Sequence, residues 1–395
     1  MANIATINGI AEDNISHHNG GTAALYTSKN GDTWVHWAAP ETKGAKTVFE
    51  SAEINYNRVA ALSETTVVVV YRDAGNSHYG TACVLTIDGT SITAGTPMVF
   101  NDNRVLEGMA IARLSSTTLA VSYNSDGYVA GGRVFSVSGT SITLGTASSS
   151  YYSTSSTGQD VAALSATLIV GASRDNSTGD KGKAVAGSIS GTDITWGTPV
   201  DLTGNASATH AVINLTATTA LIIFDDSNNT QTAIVATCSG TGNRTISLGT
   251  AVVFDGGVEF NSLCRLSATK VVACYKDNGN SGYGTACVLD VDGTSITAGT
   301  PVVFESAATQ YIDCSELNES NLMVCFRDST GDTGSLCVMG VSGADITPRS
   351  VVTQIFDTSV ATYLDTTKLT ATKVLVTYED NGNSQYGTAR VIYNS

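Results

Sequence analysis

Residues 67–100 read VVVVYRDAGNSHYGTACVLTIDGTSITAGTPMVF, and residues 271–304 read VVACYKDNGNSGYGTACVLDVDGTSITAGTPVVF. Two near copies so far apart mark the chain as a repeat protein. A leucine followed by a Ser/Thr-rich turn picks out the weaker copies: Leu62, Leu114, Leu164, Leu215, Leu266, Leu317 and Leu369. Successive leucines stand 50 to 52 residues apart, so seven copies account for nearly all of the 395 residues.

Each copy holds four strand-like segments. In the first they are 57–62, 66–72, 81–87 and 91–100, joined by turns at 63–65, 73–80 and 88–90. Asp88-Gly89 is a strong hairpin signal, because both central residues of such a turn must tolerate positive φ. The second segment is continuously apolar (Val67 to Val70, and again 221–224 and 374–376). A strand covered on both faces reads this way, whereas a half-exposed one alternates. Seven units of four antiparallel strands predict an all-β fold, a seven-bladed β-propeller.

The last copy stops after its third strand, at Tyr393-Asn394-Ser395. The segment 30–34 (NGDTW) aligns with 88–92 and precedes Thr47-Val48-Phe49, so an N-terminal strand is expected to complete the last blade and remove the open edge. The domain expectation is an anchor segment at 1–20 and a propeller at 21–395. Its blades are 49–98, 99–148, 149–200, 201–252, 253–302, 303–351, and 352–395 plus 30–48. Residues 1–20 carry isolated apolar side chains (Ile4, Ile7, Ile10, Ile15) without strand length, the pattern of a segment that orders by docking.

Composition agrees. Thr, Ser, Val, Gly and Tyr abound, as in strands joined by tight turns. Hydrophobic residues make up 42% of the chain, enough for a packed core, and no apolar run reaches the length of a membrane-spanning helix. The start lacks the basic and apolar regions of a secretory signal. With 20 Lys+Arg against 35 Asp+Glu the net charge is −15, which repels phosphate backbones and argues against nucleic-acid partners. The eight cysteines form no C-x-x-C pair and no zinc spacing. They read as small buried hydrophobes in a reduced protein, with a hairpin disulfide such as Cys274 to Cys287 as the other reading.

Catalytic constellations are absent from the sequence. His17, His18, His36, His78 and His210 fall at unrelated places in the repeat, and no phosphate-cradling loop, G-x-S-x-G or H-E-x-x-H occurs. The expectation is a protein that is not an enzyme and needs no cofactor or metal. The segment 28–34 (SKNGDTW) falls one residue short of the Asp-box turn of sialidase propellers. A sialidase or glycosidase remains the alternative, with paired carboxylates such as Asp73 and Asp380 as acid and base.

One position does recur: Asp73, Asp175, Asp226, Asp277, Asp328 and Asp380 begin the loop between the second and third strands. Three of these loops are nearly identical, DAGNSHYG (73–80), DNGNSGYG (277–284) and DNGNSQYG (380–387). A turn needs such residues for its own sake: Asp bonds backbone amides two residues on, and Gly-Asn supplies positive φ. The functional reading makes them small polar pockets, built from Asp73, Asn76 and Tyr79, from Asp277, Asn280 and Tyr283, and from Asp380, Asn383 and Tyr386. Sugar hydroxyls or cations would sit there against the tyrosines, although the alternating acids of a calcium loop are missing. Tyr151 and Tyr152, in the variable inter-blade stretch 148–158, are a further candidate contact on the same face.

The blade phrase Y-x-D-x-G-N-S-x-Y-G-T-A with G-T-S-I-T-x-G-T-P-x-V-F resembles the propeller repeats of tailed-bacteriophage tail-fibre and virion-surface proteins, and those of bacterial surface propellers. The leader, Ile7-Asn8-Gly9-Ile10 through Ile15 to Asn19-Gly20, is similar to the short leader of tailed-phage virion proteins. That resemblance implies a non-enzymatic virion protein, made in the host cytoplasm, that displays its propeller for host attachment or particle decoration. Its partners would be other virion proteins through the N-terminal segment, a host-surface glycan and further copies of itself, with no nucleic acid and no membrane insertion. Seven-bladed lectins carry a tryptophan in every blade; this chain has Trp34, Trp37 and Trp196 alone.

Overall fold

The computed structural model describes residues 6–7, 10–11, 26–29, 32–35 and 43–394, except 127–128, 149–155, 177–178, 203–205, 227–229 and 349–353. Among the described residues the chain is all-β, with antiparallel pairing throughout and only single-turn 3-10 segments in the loops. Among the described residues one three-stranded meander recurs seven times. In the first copy it comprises the second half of Thr47–Ala61, then Thr66–Asp73 and Tyr79–Asp88. In the last it is Ala361–Thr370, Lys373–Asp380 and Tyr386–Tyr393.

The middle strand of each meander is buried along its length, as its continuous apolar run predicts: Val67, Val68, Val69, Val70 and Tyr71 are fully covered. One face packs on the preceding copy and the other on the next, so alternate side chains enter different clusters. The fourth segment is not the single strand 91–100 that the sequence suggests. Ser91–Ala94 pairs with one end of Tyr79–Asp88, Gly95-Thr96-Pro97 interrupts, and Met98–Arg113 pairs with the other end before becoming the next copy's first strand. The same break falls at Gly249-Thr250-Ala251, and in both copies the glycine amide bonds the strand it leaves, Gly95 to Val84 at 2.8 Å and Gly249 to Val235 at 2.9 Å.

The same arrangement joins the two ends of the chain. Tyr386–Tyr393 pairs with the first half of Thr47–Ala61 (Tyr386 opposite Glu53, Ala389 opposite Thr47), and Lys43 bridges Ile392. Phe100 lies on Gly80 so closely that an added Cβ would stand 2.6 Å from its ring. Phe49 lies on Gly387 in the same way, at 2.5 Å. Asp32–Val35 does not take part, contrary to expectation. It pairs with Tyr26–Lys29, and among the described residues the pairing with Tyr386–Tyr393 begins at Lys43. The turn at 30–31 and the rest of the 1–20 segment lie outside the described residues, apart from a short pairing of Thr6–Ile7 with Ile10–Ala11.

All eight cysteines are buried and free, so the hairpin disulfide between Cys274 and Cys287 is not present. They occupy the apolar clusters between copies, as small hydrophobes do.

Candidate functional site

The three near-identical loops are built around their own aspartates. Asp73 accepts the amide of Asn76 at 3.1 Å and Asp277 that of Asn280 at 3.0 Å, each capping a single 3-10 turn. Asp380 accepts the amide of Gly382 at 3.1 Å, the Ser359 hydroxyl at 2.8 Å and the Lys46 ammonium at 3.0 Å. Asn76, Asn280 and Asn383 end these turns and are exposed, and the residue after each is left-handed. Tyr79, Tyr283 and Tyr386 open the next strand opposite the aspartates and are half-buried. Tyr151 and Tyr152 lie outside the described residues.

A second carboxylate sits beneath each of these loops and takes a buried tyrosine hydroxyl. Tyr71 donates to Glu50 at 2.8 Å, Tyr275 to Asp255 at 2.5 Å and Tyr378 to Asp357 at 2.5 Å. Burial, then the neighbouring Glu50 or Asp255, raises the pKa of Asp73 and Asp277. Burial pushes Asp357 the same way, but Lys46, Tyr378 and Ser359 outweigh it and hold that carboxyl below its usual range. The loop carboxylates are thus engaged by their own turns and neighbours.

A larger site lies where the first strands of the copies converge, at the end that also carries these loops. There a cavity of about 800 Å³ opens, and its wall includes Tyr56, Phe260, Tyr311 and Tyr363. These four hold one position in the repeat, and all are left-handed, with φ of 51°, 50°, 48° and 50°. Each falls in a register break of its first strand, between Asn55 and Arg58 in the first copy and between Gln310 and Asp313 in the sixth. Bulky residues at such φ are outliers, and the conformation costs roughly 1–3 kcal/mol apiece. Copies two and three place Gly108 and Gly158 there, at φ of 77° and 62°, where glycine takes the same bend without strain.

The four rings make one arc. Phe260 and Tyr311 have centroids 5.0 Å apart, Tyr311 and Tyr363 5.3 Å, and Tyr363 and Tyr56 4.8 Å, all tilted. Lys276 lies over Phe260 at one end and Arg72 over Tyr56 at the other, each 5.9 Å from the ring centroid. Facing the arc are bare glycine backbone and polar side chains. Gln159 is fixed by Ser122 (3.0 Å) and Ser156 (3.1 Å). Arg174 is paired with Asp180 at 2.7 Å. His210 is buried against Phe224, and burial lowers its pKa to about 4, so the ring is neutral at pH 7. Such a cavity, in the volume range of ligand pockets, offers a curved aromatic wall and a prearranged polar edge.

Deeper along the same line a cavity of about 260 Å³ is touched by first strands of all seven copies. Asp160, Asp313 and Asp365 lie there, at the repeat position two residues after the arc. Each accepts a backbone amide from the next copy: Asp160 from Val212 at 2.7 Å, Asp313 from Thr366 at 2.7 Å and Asp365 from Val59 at 2.5 Å. Ser262 performs the same task for Cys314 at 3.3 Å. Burial pushes Asp160 and Asp313 up to about 6 and raises Asp365 further.

None of the described loop residues predicted from the sequence lines either cavity, although the loops share the end at which the larger one opens. The residues that line it sit inside the first strands. The available signal was a substitution within the repeat: one position reads Tyr56, Gly108, Gly158, Thr209, Phe260, Tyr311 and Tyr363, and glycine standing in for an aromatic twice is the mark of a bend that favours positive φ.

No known protein-family model matches the chain, and no curated protein sequence does. Solved structures do. The BP39L lectin from Burkholderia pseudomallei superposes with a TM-score of 0.63 at 8% identity, covering 88% of this chain and 97% of that one. The K499G mutant of NanB sialidase from Streptococcus pneumoniae gives 0.50 at 10%, covering 88% and 70%. A protein of unknown function from Dyadobacter fermentans gives 0.50 at 13%, covering 90% and 100%. The architecture is therefore similar to β-propeller-like lectin and sialidase folds, a likeness of fold and not of sequence.

Proposed function

We propose that the chain is a closed seven-bladed β-propeller that binds glycans without turning them over, and that it is displayed for attachment or decoration on a virion. Closure is supported by the strand that the last and first copies share and by the Asp365–Val59 bond, which repeats the bond between internal copies. The observation that carries glycan binding is the arc of Tyr56, Phe260, Tyr311 and Tyr363 facing fixed polar groups across the axial cavity. A sugar has the matching character, with C–H faces for the rings and hydroxyls for the polar edge. The virion setting rests on the resemblance of the repeat phrase and leader, with residues 1–20 as the link to other virion proteins.

The test is a glycan array probed with the purified full chain, followed by product analysis of every bound glycan. Retention of intact glycans supports the reading. Release of cleaved sugar favours the glycosidase alternative, and binding to no glycan overturns the reading.

A further inference from the structure

We infer that the axial cavity is a single subsite that takes the terminal, uncharged pyranose of a glycan end-on, one per chain. The inference rests on the glycan-binding reading above and specifies where the sugar sits, how many bind and which class is chosen.

Stoichiometry follows from broken symmetry. Seven copies of one repeat would ordinarily offer up to seven equal sites, one per copy. Here the recurrent loops spend their aspartates on their own turns. The aromatics lie on one side of a shared cavity, and Gly108 and Gly158 open the other. The arc and the glycines share this one cavity, so the repeat as a whole builds one site. Backbone strain points the same way. Glycine at 108 and 158 makes the identical bend without strain, so the four aromatics keep a costly conformation whose product is the stacking wall.

End-on entry follows from the floor. Below the arc the cavity of about 800 Å³ gives way to one of about 260 Å³. Asp160, Asp313 and Asp365 stand in the wall of that lower level, each bonded to the neighbouring strand. A chain end seated on the rings faces this smaller space, and the rest of the glycan leaves through the wider level.

An uncharged sugar follows from the charge balance. Lys276 and Arg72 back the two ends of the arc, Arg174 stands on the polar side, and Arg58 lines the cavity from the strand that carries Tyr56. Glu259 and Asp225 line the same cavity, and the three aspartates lie beneath it. Both signs flank the ligand at close range, so neither a carboxylate sugar nor an ammonium group gains a clear advantage, and hydroxyls satisfy both.

The experiment is calorimetric titration of the full chain with methyl glycosides of neutral hexoses and N-acetylhexosamines. Methyl glucuronide and methyl sialoside serve as anionic probes and choline as the cationic one. The inference predicts one neutral glycoside per chain and at least tenfold weaker binding in Tyr311→Gly and Tyr363→Gly. Those variants install the residue that the fold already accepts at 108 and 158. Saturation-transfer NMR on the unaltered protein guards against a folding defect in the variants: the sugar C–H protons should receive magnetisation from tyrosine rings. Several sites per chain, tenfold preference for a charged probe, or unchanged binding in both variants overturns the inference while leaving glycan binding intact. Absence of binding by every saccharide, on calorimetry and on the array, overturns both.

Discussion

The carboxylate of Asp365, in the last copy of the repeat, accepts the amide of Val59, in the first, at 2.5 Å. Asp160 does the same for Val212 at 2.7 Å, one copy along. First strands of neighbouring copies form no ladder with one another, so their inward amides need side-chain acceptors. The junction between the chain's two ends is thus built with the same bond as an internal junction.

Removing that acceptor should loosen the junction. Asp365→Ala leaves the Val59 amide buried and unpaired, at a cost of about 1–3 kcal/mol. Asp365→Asn keeps one acceptor oxygen and should cost less. Urea unfolding of both, beside Asp160→Ala, measures the difference. Equal stability of Asp365→Ala and the unaltered chain would rule out a bond that matters.

The Phe49–Gly387 contact gives a second test of the same junction. An alanine Cβ at 387 would stand 2.5 Å from the Phe49 ring. Gly387→Ala should therefore destabilise by about 1–3 kcal/mol, the usual range for overpacking. Gly80→Ala, which meets Phe100 at 2.6 Å, should behave alike. Thermal melting of the two variants side by side tests whether the terminal junction is packed as tightly as an internal one.

Lys46 is peculiar to this junction, where other copies place Pro97, Ala147, Pro199, Ala251 or Pro301. Its ammonium lies 2.7 Å from Asp357 and 3.0 Å from Asp380, both buried. Lys46→Met should cost about 1–2 kcal/mol, less than for a fully buried pair because the lysine side chain is 38% exposed. The loss should shrink in Lys46→Met/Asp357→Asn, which no longer leaves two facing carboxylates. A double-mutant cycle reads the coupling.

Asp160 and Asp313 should titrate near pH 6, where unfolded aspartate titrates near 3.9. Folding thus tightens their hold on the proton. Their contribution to stability is full below about pH 4 and is lost as pH rises through 6. His210 runs the opposite way: with a folded value of about 4, its contribution is present above pH 6.5 and lost as pH falls to 4. Comparing the unaltered chain with Asp160→Asn isolates one carboxyl. Their stability difference should shift in favour of Asn as pH rises from 4 to 6, and carboxyl-carbon NMR should give the midpoints. Midpoints near 4 contradict the assigned burial.

Much of this architecture was legible in the sequence because duplication writes the same pattern repeatedly. The seven leucine markers, the continuous apolar run at Val67 to Val70 and the Asp-Gly turn each recur where the meander requires them. The terminal strand was legible less well. Residues 30–34 look like the Asp-Gly hairpin segment, but pairing is decided by register from Lys43 and Ile392. The candidate cavity was least legible. Repetition draws attention to Asp73, Asp277 and Asp380, which serve the turn. The cavity is lined at the departures from repetition, at a bend that the sequence marks only by Gly108 and Gly158 standing where other copies have aromatics.

The most direct test of the account uses tyrosine-ring labelling of the full chain and titration with the neutral methyl glycosides. The account predicts that the signals of Tyr56, Tyr311 and Tyr363 move together to one saturation point, while those of Tyr79, Tyr283 and Tyr386 stay in place. Movement confined to the loop tyrosines, or of none, would contradict it.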